Sequence, residues 1–246
     1  MPPAQWPLLL GSAYIGLRTR FIDDFVLSSN SPTQVVSLGA GLDARAYRLP
    51  WRTGTHLFEL DEVGVLEFKS SVLQDAGVAP RCELTSLDAD FSNDWGGVLT
   101  SVGFDRAKPT TWIVEGLLPY LSVAAQALCL ATLADLSSRG SRCVLERAVP
   151  LPNSPELESR LEAFSLTTGL PMSELLARAN PPDPVELLQG YGWTADLHSV
   201  DRVAAQYGRT LQVPGSPWGE MGEPEPSEGK PTDSASRGGF VIASCD

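Results

Sequence analysis

Residues 34–51, QVVSLGAGLDARAYRLPW, decide the fold. Val35, Val36 and Leu38 suit a buried parallel strand, Gly39 and Gly41 permit a tight turn with close backbone approach, and Pro50 stops any helix begun at Leu42. A strand, a glycine turn and a helix in that order make a nucleotide-binding unit, so a cofactor is expected on the turn. Ala44 fills the third small position of G-x-G-x-x-G/A, and the spacing alone equally admits a dinucleotide. Asp43 argues otherwise. A dinucleotide places its pyrophosphate against the free N–H groups of a helix N-terminus, where a carboxylate repels it. S-adenosylmethionine carries an ammonium and a sulfonium beside one carboxylate, so an acidic rim attracts it. Arg45 can offset Asp43, and Asp43 can equally act as a simple helix cap.

Working outward, residues 55–60 (THLFEL) read as a second strand with Asp61 at its end. Asp61 follows the turn by the interval at which an acid grips the ribose hydroxyls of an adenosine cofactor. Glu59 shares its strand face by alternation and is expected to be passive. Val65, Phe68, Val72, Leu73 and Ala76 recur at helical spacing and predict a crossover helix with that stripe in the core. Residues 81–91 (RCELTSLDADF) give a third strand and a loop ending in Asp90 and Phe91. An acid followed by a ring suits adenine; Asp88 competes for the role, and a turn aspartate is the plain alternative. Residues 110–121 (TTWIVEGLLPYL) form a fourth buried strand running into Glu115, whose charge suits a methionine ammonium beyond a strand's carboxyl end. Ser122 can cap the next helix, with Ala124, Leu128 and Ala131 on its packed face.

Upstream, residues 4–29 read as helical, with Leu8, Leu9, Tyr14, Ile15, Phe21, Ile22 and Phe25 supplying apolar faces. Arg18 and Arg20 can fold back over the cofactor or pair with Asp23 and Asp24. Downstream, residues 141–148 supply strand five, and 156–179 a Pro-punctuated helical insertion able to cover a site. Residues 183–190 read as a helix, 193–200 as a sixth strand and 240–245 as the last. Between them, 214–239 is rich in Pro, Gly, Ser and Glu, a composition that cannot bury a core, and is expected to be a mobile surface loop.

A chain of 246 residues with 43% hydrophobic content is enough for one large α/β domain. The net charge of -12 argues against nucleic acid and against an anionic membrane surface. Cys82, Cys129, Cys143 and Cys245 are widely spaced, without a C-x-x-C pair or a histidine at ligand spacing, so no metal site is expected and the thiols are read as reduced. With no signal-peptide pattern and no apolar run of membrane-spanning length, a soluble, cytoplasmic protein is expected.

The stretches RTRFIDD, VVSLGAGLDARAYRL, FELDE, LDADFSNDW, VEGLLPYLS and FVIAS together resemble the leucine carboxyl methyltransferase family, including its actinobacterial S-adenosylmethionine-dependent O-methyltransferases and polyketide carboxyl O-methyltransferases. The resemblance runs from about Arg18 to the final strand. It implies a Rossmann-like seven-stranded methyltransferase sheet, mostly parallel with an antiparallel last strand, in one domain with a helical cap insertion. It also implies S-adenosylmethionine as cofactor, with Arg18 on its carboxylate, Gly39 and Gly41 along its methionine part, and Asp61 on ribose. Asp90 and Phe91 would hold adenine, and Glu115 would lie near the ammonium and the acceptor. The family usually has further N-terminal helices that cap the cofactor and contribute a lysine, whereas the first lysine here is Lys69. Either the insertion after Pro150 closes the site, or the chain is a shortened member.

The leading expectation is methyl transfer to an oxygen of a small-molecule or peptide acceptor. Its rivals are a nicotinamide oxidoreductase, for which no Tyr/Lys or His/Asp catalytic pair stands in these stretches, and a catalytically silent protein that retains the fold. A phenol or alcohol acceptor needs a general base, most often histidine. His56 and His198 both sit in strands without a partner carboxylate at a strand's carboxyl end, so a carboxylate acceptor is expected, oriented by Arg20 and Tyr120.

Overall fold

The computed structural model describes residues 12–28, 32–147, 155–168, 182–210 and 239–246. Seven strands share one sheet: β1 (Gln34–Leu38), β2 (His56–Asp61), β3 (Glu83–Asp88), β4 (Thr110–Val114), β5 (Arg142–Glu146), β6 (Thr194–Ser199) and β7 (Gly239–Ser244). Their order is β3-β2-β1-β4-β5-β7-β6. β1 to β5 run parallel, and β7 inserts antiparallel between β5 and β6. Every residue of β1 and β4 is buried, as central strands covered on both faces require.

The helices flank this sheet: α1 (Ser12–Val26), α2 (Arg45–Arg48), α3 (Val63–Asp75), α4 (Trp95–Thr100), α5 (Val123–Asp135), α6 (Pro155–Thr168), α7 (Pro184–Gly190) and α8 (Val200–Gln206). Strand alternation splits the core in two. On one face Val35, Leu57, Ile113, Val144 and Phe240 pack against Tyr14, Leu17, Phe21 and Ile22 of α1 and Val203 of α8. On the other, Val36, Leu38, Phe58, Trp112, Leu145 and Val241 pack against Trp95 of α4, Leu130 and Leu133 of α5, and Leu188 of α7.

Several details depart from the periodicity. The helix after the glycine turn is one turn long, because Leu49 adopts the extended conformation (ψ 149) that the following Pro50 imposes. On α3 the stripe is rotated: Leu66 and Lys69 are buried, while Phe68 and Val72 are 60% and 50% exposed. The ammonium of Lys69 reaches the buried Glu59 from that face. On α5 the inward residues are Ala125, Cys129, Leu130 and Leu133, with Leu128 outward. Ser122 does cap α5, accepting from the Ala125 N–H. α4, capped by Asp94, and α8, capped by Ser199, were not expected. The loop expected over 214–239 lies outside the described residues apart from Gly239, which opens β7; 169–181 of the insertion lie outside them too.

Candidate functional site

β1 and β4 are neighbours, while the chain leaves β1 for β2 on the other side, so a crevice opens at the carboxyl ends of these two strands. Gly39, at the end of β1, and Gly116, just beyond β4, both have positive φ (67 and 64). A Cβ on Gly39 would come within 3.0 Å of the Leu117 side chain, so only glycine lets the two turns approach. The β1 turn is bound to the next strand, as the Gly39 and Ala40 N–H groups donate to the Leu60 carbonyl at 2.9 and 3.1 Å.

Asp61 ends β2 beside that turn. Its Oδ2 accepts from the Gly41 N–H at 2.6 Å and its Oδ1 from the Glu62 N–H at 2.8 Å. Each carboxylate oxygen keeps acceptor capacity for a further donor. Asp90 is exposed and accepts from the Ser92 N–H and the Asn93 amide; the Ser92 bond, aided by Asn93, holds its pKa below the ordinary value. Phe91 is 7% exposed and packs on Trp95, so it belongs largely to the core.

The other expected residues gather into a charged cluster. Arg45 is almost wholly buried and contacts Asp23 at 2.7 Å, Asp43 at 2.8 Å and Glu115 at 2.5 Å. Burial opposes its charge, but Asp43, Glu115 and Asp23 raise its pKa above the ordinary value. Arg18 donates from Nη1 to Glu146 at 2.7 Å, while its Nε lies 2.7 Å from Glu115 without the alignment of a hydrogen bond. Asp43 also accepts from the Arg45 backbone N–H, so it serves the start of α2 as well as pairing with the guanidinium. Its acidity is therefore spent largely on Arg45.

Arg20 does not join this cluster. Two residues from Arg18 it lies about 200° around the helix, where it pairs with Asp24 and approaches the Tyr207 ring. Tyr120 is half-exposed beside the cluster, its pKa raised by burial and by Glu146. The histidines are elsewhere: His56, at the amino end of β2, bonds Thr85 and stacks on Phe58, and His198 packs against Phe21.

Two participants escaped the sequence reading. Glu146, at the carboxyl end of β5, accepts from Arg18, the Gly116 N–H and the Tyr14 hydroxyl. Its position after the apolar run of SRCVLE was the available signal. The second is the buried pair Glu59–Lys69 at 2.7 Å, with the ammonium also 3.3 Å from the Asp43 carbonyl. Glu59 is thus a structural partner under the glycine turn. The alternation that placed it on that strand face gave no partner.

Comparison with known proteins gives the family and the fold. The family model of leucine carboxyl methyltransferase matches residues 3–134. A relative from Saccharopolyspora erythraea, named "Putative S-adenosyl-L-methionine-dependent methyltransferase", is 39% identical over 212 residues, covering 85% of this chain and 74% of its own. A relative of the same description from Streptomyces avermitilis is 41% identical over 205 residues, with 81% and 69% covered. Among solved structures, a duf574 family protein from Streptomyces avermitilis superposes with a TM-score of 0.61 at 12% identity, over 98% of this chain and 87% of that one. Magnesium protoporphyrin IX methyltransferase from Synechocystis, solved with bound SAH, gives 0.52 at 12% identity over 94% and 84%. The structural likenesses establish the seven-stranded fold, and the sequence matches establish the lineage: the chain belongs to the leucine carboxyl methyltransferase family.

Proposed function

We propose that the protein is an S-adenosylmethionine-dependent O-methyltransferase acting on a carboxylate of a small molecule or peptide. The observation that carries the reading is the convergence of a glycine turn, the strand-end acid Asp61 and the Arg18–Glu115 pair at the β1/β4 crevice. The side chains present fit such a cofactor. Asp61 offers acceptors to ribose hydroxyls, Glu115 a carboxylate to an ammonium, and Arg18, 20% exposed, a guanidinium to a carboxylate. Gly39 and Gly41 would leave the backbone bare along the methionine part, and the exposed Asp90 would offer acceptors to the adenine, with Phe91 behind it in the core. A dinucleotide fits less well, because its diphosphate would meet the Asp61 carboxylate beside the glycine turn.

When bound, S-adenosylmethionine supplies an electrophilic methyl group on a sulfonium. The protein's task is then alignment, and holding reactants at near-attack geometry is worth on the order of 7–11 kcal/mol. A carboxylate acceptor is already ionised at neutral pH. The positions of His56 and His198 support that choice, since neither reaches the crevice as a general base. Tyr120, half-exposed beside the cluster, can donate its hydroxyl to an acceptor oxygen. Arg20 is withdrawn from that role, because its guanidinium faces Asp24 and Tyr207.

Thermal shift tests the cofactor class. S-adenosylhomocysteine at about 100 times its dissociation constant should add roughly 2.7 kcal/mol of stability; stabilisation by NADH alone would favour an oxidoreductase. Incubation with labelled S-adenosylmethionine and an acceptor panel tests the chemistry. Methyl esters release methanol in mild base, whereas base-stable products would overturn the carboxylate assignment.

A further inference from the structure

Arg18 stands between two carboxylates that are held very differently. Glu146 is 8% exposed, on a strand inside the sheet, and both its oxygens are committed: Oε1 to the Tyr14 hydroxyl, Oε2 to Arg18 Nη1 at 2.7 Å and to the Gly116 N–H at 2.9 Å. It therefore ties α1 and the turn after β4 to β5. Glu115 meets Arg18 only through the misaligned Nε contact, and its second oxygen already has Arg45 at 2.5 Å. Removing Glu115 from Arg18 leaves Glu115 paired; removing Glu146 leaves the buried Tyr14 hydroxyl and the half-buried Arg18 Nη1 and Gly116 N–H without their acceptor.

We infer that Glu146 is the positioning residue of the amino-acid subsite, fixing the Arg18 guanidinium and the Gly116 turn, while Glu115 is the partner that Arg18 exchanges for a ligand carboxylate. This rests on the cofactor reading above. The geometry gives the exchange a balanced charge pattern: the incoming carboxylate takes over the Nε side of Arg18, and Glu115, still bonded to Arg45, is freed to face the ligand ammonium. Glu146 does not move in this exchange. The Gly116 turn has φ 64, a backbone region that favours glycine, and its N–H is held on the same Glu146 oxygen as Arg18.

The test compares two ligands that differ by the amino-acid moiety: S-adenosylhomocysteine has it, and 5′-methylthioadenosine does not. Calorimetry on the wild-type chain comes first, and if neither ligand binds, the cofactor reading itself fails. Glu146→Gln, which keeps size and removes charge, should raise the S-adenosylhomocysteine dissociation constant about tenfold and leave that of 5′-methylthioadenosine within about twofold. Equal changes for both ligands, or none, in a variant whose wild type binds both overturn the inference, because a merely structural role would not separate them. If circular dichroism shows Glu146→Gln unfolded, Tyr14→Phe decides. Losing one of the donors that orient Glu146 should weaken S-adenosylhomocysteine more than 5′-methylthioadenosine, and an equal effect on both overturns the proposal.

Discussion

The Oδ2 of Asp61 accepts the backbone N–H of Gly41 at 2.6 Å, so the acid that ends β2 also fixes the glycine turn that ends β1. A residue expected to serve only a ligand is thereby part of the scaffold that shapes the ligand's seat. Asp61→Ala should lose cofactor affinity and also cost about 1–3 kcal/mol of stability, read by calorimetry and by urea denaturation. Undiminished stability would mean that the turn holds its shape without the carboxylate.

Gly39→Ala should destabilise the fold by about 1–3 kcal/mol, the range for a side chain forced into an unfavoured backbone region. Its φ is 67, and the added methyl would meet Leu117 at 3.0 Å. Gly16→Ala is the matched control. On the exposed face of α1 with nothing within 4 Å of its Cβ, it should stabilise by roughly 0.5–1 kcal/mol. Chemical denaturation of the two variants side by side should give opposite signs.

Lys69→Met should cost about 3–5 kcal/mol, because it strands the carboxylate of Glu59 in the core. Burial raises the pKa of Glu59 and the Lys69 ammonium opposes that rise, so removing the ammonium takes away the cation that holds the charge. Adding Glu59→Gln to Lys69→Met should recover part of the loss. A double variant no more stable than the single one would show that the pair does not act as a unit.

His198 gives the fold a pH response. Burial, then the nearby Arg202, depress its pKa below the ordinary 6.5, against an opposing effect of Asp196. The unfolded chain therefore binds a proton that the folded chain resists, and stability falls as pH drops from 6.5 toward the folded value. His198→Gln should flatten the thermal midpoint in that window relative to the wild type. An unchanged slope would assign the response to other groups.

The sequence alone determined the strands, the glycine turn and the acids Asp61 and Glu115 at the ends of β2 and β4, because these are local matters. A buried parallel strand reads as a short apolar run, a positive-φ turn demands glycine, and a proline dictates the conformation of the residue before it, as Leu49 shows. It also placed Arg18 within a helix that precedes β1. Which charges meet was decided by tertiary structure. Arg18 and Arg20 are near neighbours in the chain, yet helical rotation sends one to Glu146 and the other to Asp24. Glu146 is 128 residues from Arg18 in the chain, and no local pattern couples them. The same holds for α3, whose apolar residues occupy more than one face and whose buried side carries Leu66 together with Lys69, paired with Glu59. Ion pairs between elements depend on how the helices lie against the sheet, and that geometry exists only once both apolar faces of the sheet are covered.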